Sequence, residues 1–452
     1  MYEGATPMKT HCFARLASIP AALLIALASA DGAQASGFAV PEISTAGIGT
    51  ANALVANPEE RGAIIYNPAA TAFHDKSLVT LGALFIQPNF TVDTDGGKFD
   101  SRSDNWLVAP MIQGALHIND RWSAGLGINA PFGLETEWPI GTFPMLTNAA
   151  PLPSPPFAPG TKIPLSPQPT NSKLEILDFV PTATYRLNEN LALSAGADLY
   201  WTKTAELNSS LTKLDGDGTG WGFNLSALYV KDAWSLGINF HSAATVQIDG
   251  DYTALNSTLV SLYRASGGTT GTPPSQGAEL DLDLPWRLQL GARYKINPKL
   301  AVEVDWTRMG WSQFERIRVI GDLYGTTLID DENNWDDANA YRFGVTYQLL
   351  DDTQLRFGYS YDETGQGDDY FSARVPDNDR HLFGVGVAHR LADGWQLEAG
   401  YMYVLFNERD YRGARPYSGR GADINGTTAI DGKYEAHANL IGLEVSKSFD
   451  AF

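Results

Sequence analysis

Five arginines, Arg287, Arg293, Arg342, Arg356 and Arg380, stand at alternate positions of strand-like runs, and Glu303, Asp305, Asp362 and Glu398 share their phase. A guanidinium presents a planar fork of donors that grips a carboxylate at two points. The set could therefore meet the head group of an organic acid, or close on itself as an internal ion-pair lattice. The residues alone leave both readings open. Catalysis has less support. His74, His117, His241, His381, His389 and His437 are scattered, and the chain carries no HExxH, no GxSxG and no phosphate-cradling glycine loop in context. The acidic runs Asp330-Asp331-Glu332 and Asp336-Asp337 could hold divalent cations or simply be solvated loop. Neither a metal nor a cofactor is expected, nor an enzyme.

The elements that carry these charges alternate with period two. In 354–362, Leu355, Phe357, Tyr359 and Tyr361 oppose Gln354, Arg356, Gly358, Ser360 and Asp362. The same sorting recurs in 287–294, 341–348 and 301–307, with every charge off the apolar face. Lipid contact would enforce it, because a charge at the bilayer midplane costs roughly 2–4 kcal/mol. Six tight turns, including Asn119-Asp120-Arg121, Asn297-Pro298-Lys299 and Ala392-Asp393-Gly394, mark one rim. Long loops, at 93–104, 133–173, 208–218, 251–279, 321–335, 365–378 and 413–433, mark the other. This spacing predicts an all-β, 14-stranded antiparallel transmembrane barrel over 77–452. The competing architecture is a soluble sandwich with one solvated face. The last strand ends either at Phe449 with a short tail, or at Phe452 after a bulge resets its phase.

The first 35 residues read as a cleaved secretory signal: Lys9 and Arg15, an apolar run at 19–30, then Ala33-Gln34-Ala35. Met8 could be the start, and the single cysteine, Cys12, leaves with the signal. No later apolar run nears the ~20 residues of a spanning helix. Residues 36–76 do not alternate, are rich in small residues, and suit a compact insert in the lumen, an N-terminal hatch. The formal charge of −20 argues against nucleic-acid binding.

Gly37-Phe38, the run Ser44 to Ala51, Asn67-Pro68-Ala69, Pro131-Phe132-Gly133, Leu284-Pro285-Trp286, Asp305-Trp306-Thr307, Trp335-Asp336-Asp337, Leu355-Arg356-Phe357-Gly358-Tyr359 and Pro376-Asp377 occur in an order that resembles the FadL family of outer-membrane channels. The resemblance implies a monomeric, plugged barrel in the outer membrane of a Gram-negative bacterium, passing long-chain fatty acids, alkanes, terpenes or aromatic hydrocarbons. It also implies a pocket lined partly by the hatch, with Phe38, Val40, Ile43, Ile48, Asn67 and Pro68 as candidates, and sideways release at a kinked third strand. That kink falls on Asn129, Ala130, Pro131, Phe132 and Gly133. Pro131 brings no N–H, so it either bulges the strand or ends it at the rim. Release into lipid suits apolar cargo, which gains about 0.8 kcal/mol per CH₂ on leaving water. Phe143, Met145, Leu146, Leu152 and Phe157, set among prolines, could form a capture surface or belong to a linker. The expected surroundings are outer-membrane lipid, lipopolysaccharide and the barrel-assembly machinery. The rival function is a general diffusion porin for small polar solutes.

Overall fold

The computed structural model describes residues 37–101, 106–147, 149–151, 162–164, 167–268, 271–323, 325–417 and 423–450. The expected signal over 1–35, Leu152, Phe157 and Phe452 lie outside the described residues. Fourteen strands follow one another around a closed wall. They are β1 (Ser77–Thr94), β2 (Leu107–His117), β3 (Trp122–Glu137), β4 (Pro169–Arg186), β5 (Leu191–Ser209) and β6 (Thr212–Lys231). Then come β7 (Trp234–His241, continued as Ala244–Ala254), β8 (Ser275–Leu284 and Arg287–Asn297), β9 (Leu300–Met309 and Arg316–Gly321) and β10 (Thr326–Glu332 and Ala338–Gln348). The last four are β11 (Thr353–Asp362), β12 (Arg380–Arg390), β13 (Trp395–Phe406) and β14 (Gly432–Phe449). Each pairs antiparallel with its sequence neighbour, and β14 closes on β1 from Ser77↔Phe449 to Asp93↔Lys433. Closure matters because an open sheet edge has no partner in hydrocarbon.

Alternation decides which face each residue takes. Phe357 and Tyr359 are exposed while Arg356, Ser360 and Asp362 between and beside them are buried. Around the short-turn rim Trp122, Tyr229, Trp234, Tyr347 and Trp395 point outward, an aromatic girdle at one membrane interface.

Several loop expectations need correction. Residues 321–335 are largely strand, since β9 runs to Gly321 and pairs with β10 from Thr326 to Glu332, and within 93–104 the stretch Gly97–Asp100 pairs back on β1. Residues 208–218 are not a long loop: β5 and β6 run through them and turn at Ser210 and Leu211. Residues 133–173 shrink as well, since β3 reaches Glu137 and β4 begins at Pro169.

β7 to β10 are all interrupted at the same height, β8 at Pro285 and β9 ahead of Trp311. Trp311, Phe314 and Trp335 come from these breaks and are buried together, with ring centroids 4.9–6.3 Å apart.

Candidate functional site

The wall is discontinuous at β3. Its first half pairs with β2 from His117↔Ser123 to Ile112↔Ile128, and with β4 from Trp122↔Tyr185 to Asn129↔Asp178. At Asn129 the register with β4 slips and resumes from Phe132↔Ile176 to Glu137↔Asn171. Above Ile112, β2 pairs only with β1, from Met111↔Gly82 to Leu107↔Ile86. So Pro131 neither ends β3 nor leaves it straight; it sits in a bulge where β3 parts from β2. Continuing the lower register would set Pro110 against Ala130, and Pro110, like Pro131, has no N–H to offer a ladder.

The N-terminal segment takes up part of what β3 lacks. The Val40 N–H donates to the Pro131 carbonyl at 2.8 Å and the Gly133 N–H to the Phe38 carbonyl at 3.0 Å, around an antiparallel bridge of Ala39 with Phe132. The Gly37 N–H donates to Asp377 Oδ2 at 2.8 Å, and the Thr364 hydroxyl donates to the same oxygen. Arg380 donates to the Ala39 carbonyl at 3.3 Å. The Phe38 ring lies against Trp311 (4.7 Å), Phe314 (5.4 Å) and Phe132 (5.9 Å).

Beside this junction is a cavity of about 300 Å³. Its wall includes the consecutive residues Leu107 to Pro110 of β2 and Phe132 to Glu135 of β3, hence both faces of each strand. Of the residues expected in a pocket or kink, Val40, Ala130, Phe132 and Gly133 line it, and so does Arg380 from the possible carboxylate contacts.

Ile43 and Ile48 are instead buried in separate apolar clusters. Asn67 and Pro68 are structural: the Asn67 carboxamide accepts from the Ala69 N–H at 3.1 Å and donates to the Val55 carbonyl at 2.7 Å, and the Pro68 carbonyl accepts from the Thr184 hydroxyl at 3.1 Å. The capture expectation fails for Phe143 and Leu146. Both are fully buried in a cluster with Trp138, Phe371 and Tyr411, where the Trp138 indole donates to the Ala373 carbonyl, and only Met145 of the described three is exposed.

The arginines act mostly as fasteners. Arg356, fully buried, donates to Glu60 of the N-terminal segment and to Glu398 of β13, each at 2.5 Å. Arg293 reaches Glu59 at 2.8 Å. Arg342 bonds Thr307 and, at 3.4 Å, Asp362. Arg287 lines a small space with Asp178 and His241. Carboxylates also hold the segment directly. Asp305 accepts from the N–H groups of Leu54 and Val55, Glu303 from Ala56 at 2.6 Å, and Glu444 from Thr45 at 2.7 Å. Inward glycines permit this approach: a Cβ on Gly358 would sit 2.0 Å from Thr50, and one on Gly237 2.0 Å from Val55. Ser44 caps the short helix α1 (Thr45–Thr50) through the Gly47 N–H.

At the short-turn rim a second cavity, of about 500 Å³, borders the other end of the segment. Arg61, Arg293, Lys295, Lys299, Arg390 and His74 line it with Glu59 and Glu60. Burial, aided by nearby Arg61, pushes the His74 imidazole down to about 4.

Comparison with known proteins agrees with this architecture. A family described as outer membrane protein transport protein (OMPP1/FadL/TodX) matches residues 26–145 and 160–449. A long-chain fatty acid transport protein of Escherichia coli O6:H1 is 25% identical over 404 residues, covering 79% of this chain and 84% of its own. The crystal structure of a Pseudomonas aeruginosa FadL homologue superposes with a TM-score of 0.74 at 19% identity, over 92% of this chain and 100% of that one. The Ralstonia pickettii toluene transporter TbuX superposes with a TM-score of 0.63 at 16% identity, over 90% and 98%. With both stretches of the family matched and the same barrel formed, the chain belongs to the OMPP1/FadL/TodX family of outer-membrane transport proteins.

Proposed function

We propose that this outer-membrane barrel takes up hydrophobic compounds and releases them sideways into the bilayer through the gap between β2 and β3. The observation that carries the reading is the cavity lined by both faces of the parted strands, Leu107 to Pro110 and Phe132 to Glu135. Apolar cargo gains nothing from an aqueous outlet, whereas each CH₂ that stays out of water is worth about 0.8 kcal/mol. The N-terminal segment acts as the hatch. Its buried Ile48, Leu54 and Ala63 fill the lumen, which disfavours a general diffusion porin. The Gly37–Asp377, Phe38–Gly133 and Val40–Pro131 bonds, which tie the start of this segment to the gap, support the reading. Relatives named for long-chain fatty acids and for toluene bracket the cargo class.

The test is to staple the gap. Pro110→Cys with Ala130→Cys puts two thiols on the facing edges. When oxidised, uptake of toluene and of oleate should fall by more than about tenfold, and reductant should restore it. Undiminished uptake with the disulfide formed rejects lateral release.

A further inference from the structure

The cavity at the gap holds seven charged side chains in two groups. Glu42, Asp377 and Arg380 face inward. Glu135, Lys173, Glu175 and Lys203 lie at the outer lip, on the β3, β4 and β5 positions that alternate with buried Thr136, Ser172, Ile176 and Thr202. The lip is self-contained: Lys173 sits 3.4 Å from Glu135 and 3.0 Å from Glu175, and Lys203 2.9 Å from Glu175. Inside, Arg380 is committed to the Ala39 carbonyl, lies 4.0 Å from Asp362 and stacks over the Phe406 ring. The remaining lining is dominated by aliphatic groups such as Ile86, Leu134, Leu382 and Leu440.

Four carboxylates thus meet three cations, and each cation already has a partner. A long-chain acid entering here would shed the water around its carboxylate and find no free cation among the described lining residues to replace it. Glu42 is buried and accepts from the Asn52 amide at 2.8 Å. Protonating it brings the cavity to balance and still supplies no spare cation. Surplus positive charge is found at the far rim, where Lys299 and Arg390 line the other cavity beyond the hatch.

We infer that the cavity at the β2–β3 gap selects uncharged apolar cargo, such as alkanes, alkanols or monoaromatics, over carboxylates. This deepens the transport reading and rests on it.

The experiment measures equilibrium binding of radiolabelled dodecanol and dodecanoate, at about neutral pH, to the full chain in phosphatidylcholine nanodiscs, each referred to protein-free discs. Dodecanol should bind about tenfold more tightly than dodecanoate. Glu42→Gln should narrow that ratio by relieving one like charge, and the wild-type ratio stands even if the variant misfolds. Dodecanoate binding as tightly as dodecanol, or more so, overturns the selectivity and leaves transport intact. Binding of neither ligand overturns the transport reading and this inference with it.

Discussion

Two of the cavities that border the N-terminal segment differ sharply in lining and in place. The one at the β2–β3 gap is lined mostly by aliphatic side chains, among them consecutive residues of β2 and β3. The one at the short-turn rim is lined by lysine, arginine and glutamine, and ends against Glu59, Glu60 and Arg61. The aliphatic lining suits apolar cargo and the charged one does not. The difference extends to how the segment is held. Near the gap Phe38 packs among Trp311, Phe314 and Phe132, and the backbone of 37–40 is held by bonds to β3, Asp377 and Arg380, while the stretch from Thr45 to Arg61 is fastened by buried ion pairs and by carboxylates accepting from backbone N–H groups. One end is held mainly by ring contacts and backbone bonds, the other by buried charge.

The most forceful way to break this contrast is Arg356→Met. It leaves Glu60 and Glu398 buried without their shared cation, a loss of about 3–5 kcal/mol. The part held by buried charge should loosen, with hydrogen-exchange protection lost over 45–65 and ion conductance raised. Unchanged conductance would show that the fastening lies elsewhere.

Next in size is Asp377→Ala, which strips the Gly37 N–H of its acceptor at about 1–3 kcal/mol. Exchange at 37–40 should rise and uptake should change several-fold, with the rest of the segment untouched.

A smaller effect concerns pH. His74, depressed in the fold to about 4 from 6.5, contributes stability that is present above pH 6.5 and lost as pH falls through 4. That slope amounts to no more than about 3 kcal/mol. His74→Gln should flatten it in melting scans across that window; an equally steep variant would assign the slope to other groups.

The smallest expectation is Lys299→Gln, on the rim cavity, with uptake within about twofold and stability within about 0.5 kcal/mol. A tenfold fall in uptake would put the polar cavity on the route and dissolve the contrast.

The barrel was legible because lipid leaves a plain mark on alternate residues, as in Phe357 and Tyr359 against Arg356 and Ser360. That signal fades where strands rise beyond the bilayer. Asp215 and Asp217 face outward from β6 in water, so the stretch around them looks like loop although Leu214 is buried on the inner face. Apolar residues in a proline-rich stretch carry no sign of which way they face, and Phe143 and Leu146 turned inward to Trp138. The kink was readable in Pro131, but its consequence depended on Pro110, a strand away and unremarkable by itself. The lumen glycines were visible only as gaps in the polar phase; that Gly358 and Gly237 exist to admit the backbone at Thr50 and Val55 is a tertiary fact.

The uneven pairing of β3 has a mechanical meaning. In a cylinder made from one chain, the joint between first and last strands is the natural suspect for failure, but here β1 and β14 are zipped along nearly their whole length. The ladder between β2 and β3 stops at Ile112↔Ile128. Lateral tension in the surrounding bilayer would concentrate at that short seam, so the compliance of the wall is local and its weakest line is the one through which a hydrocarbon would leave.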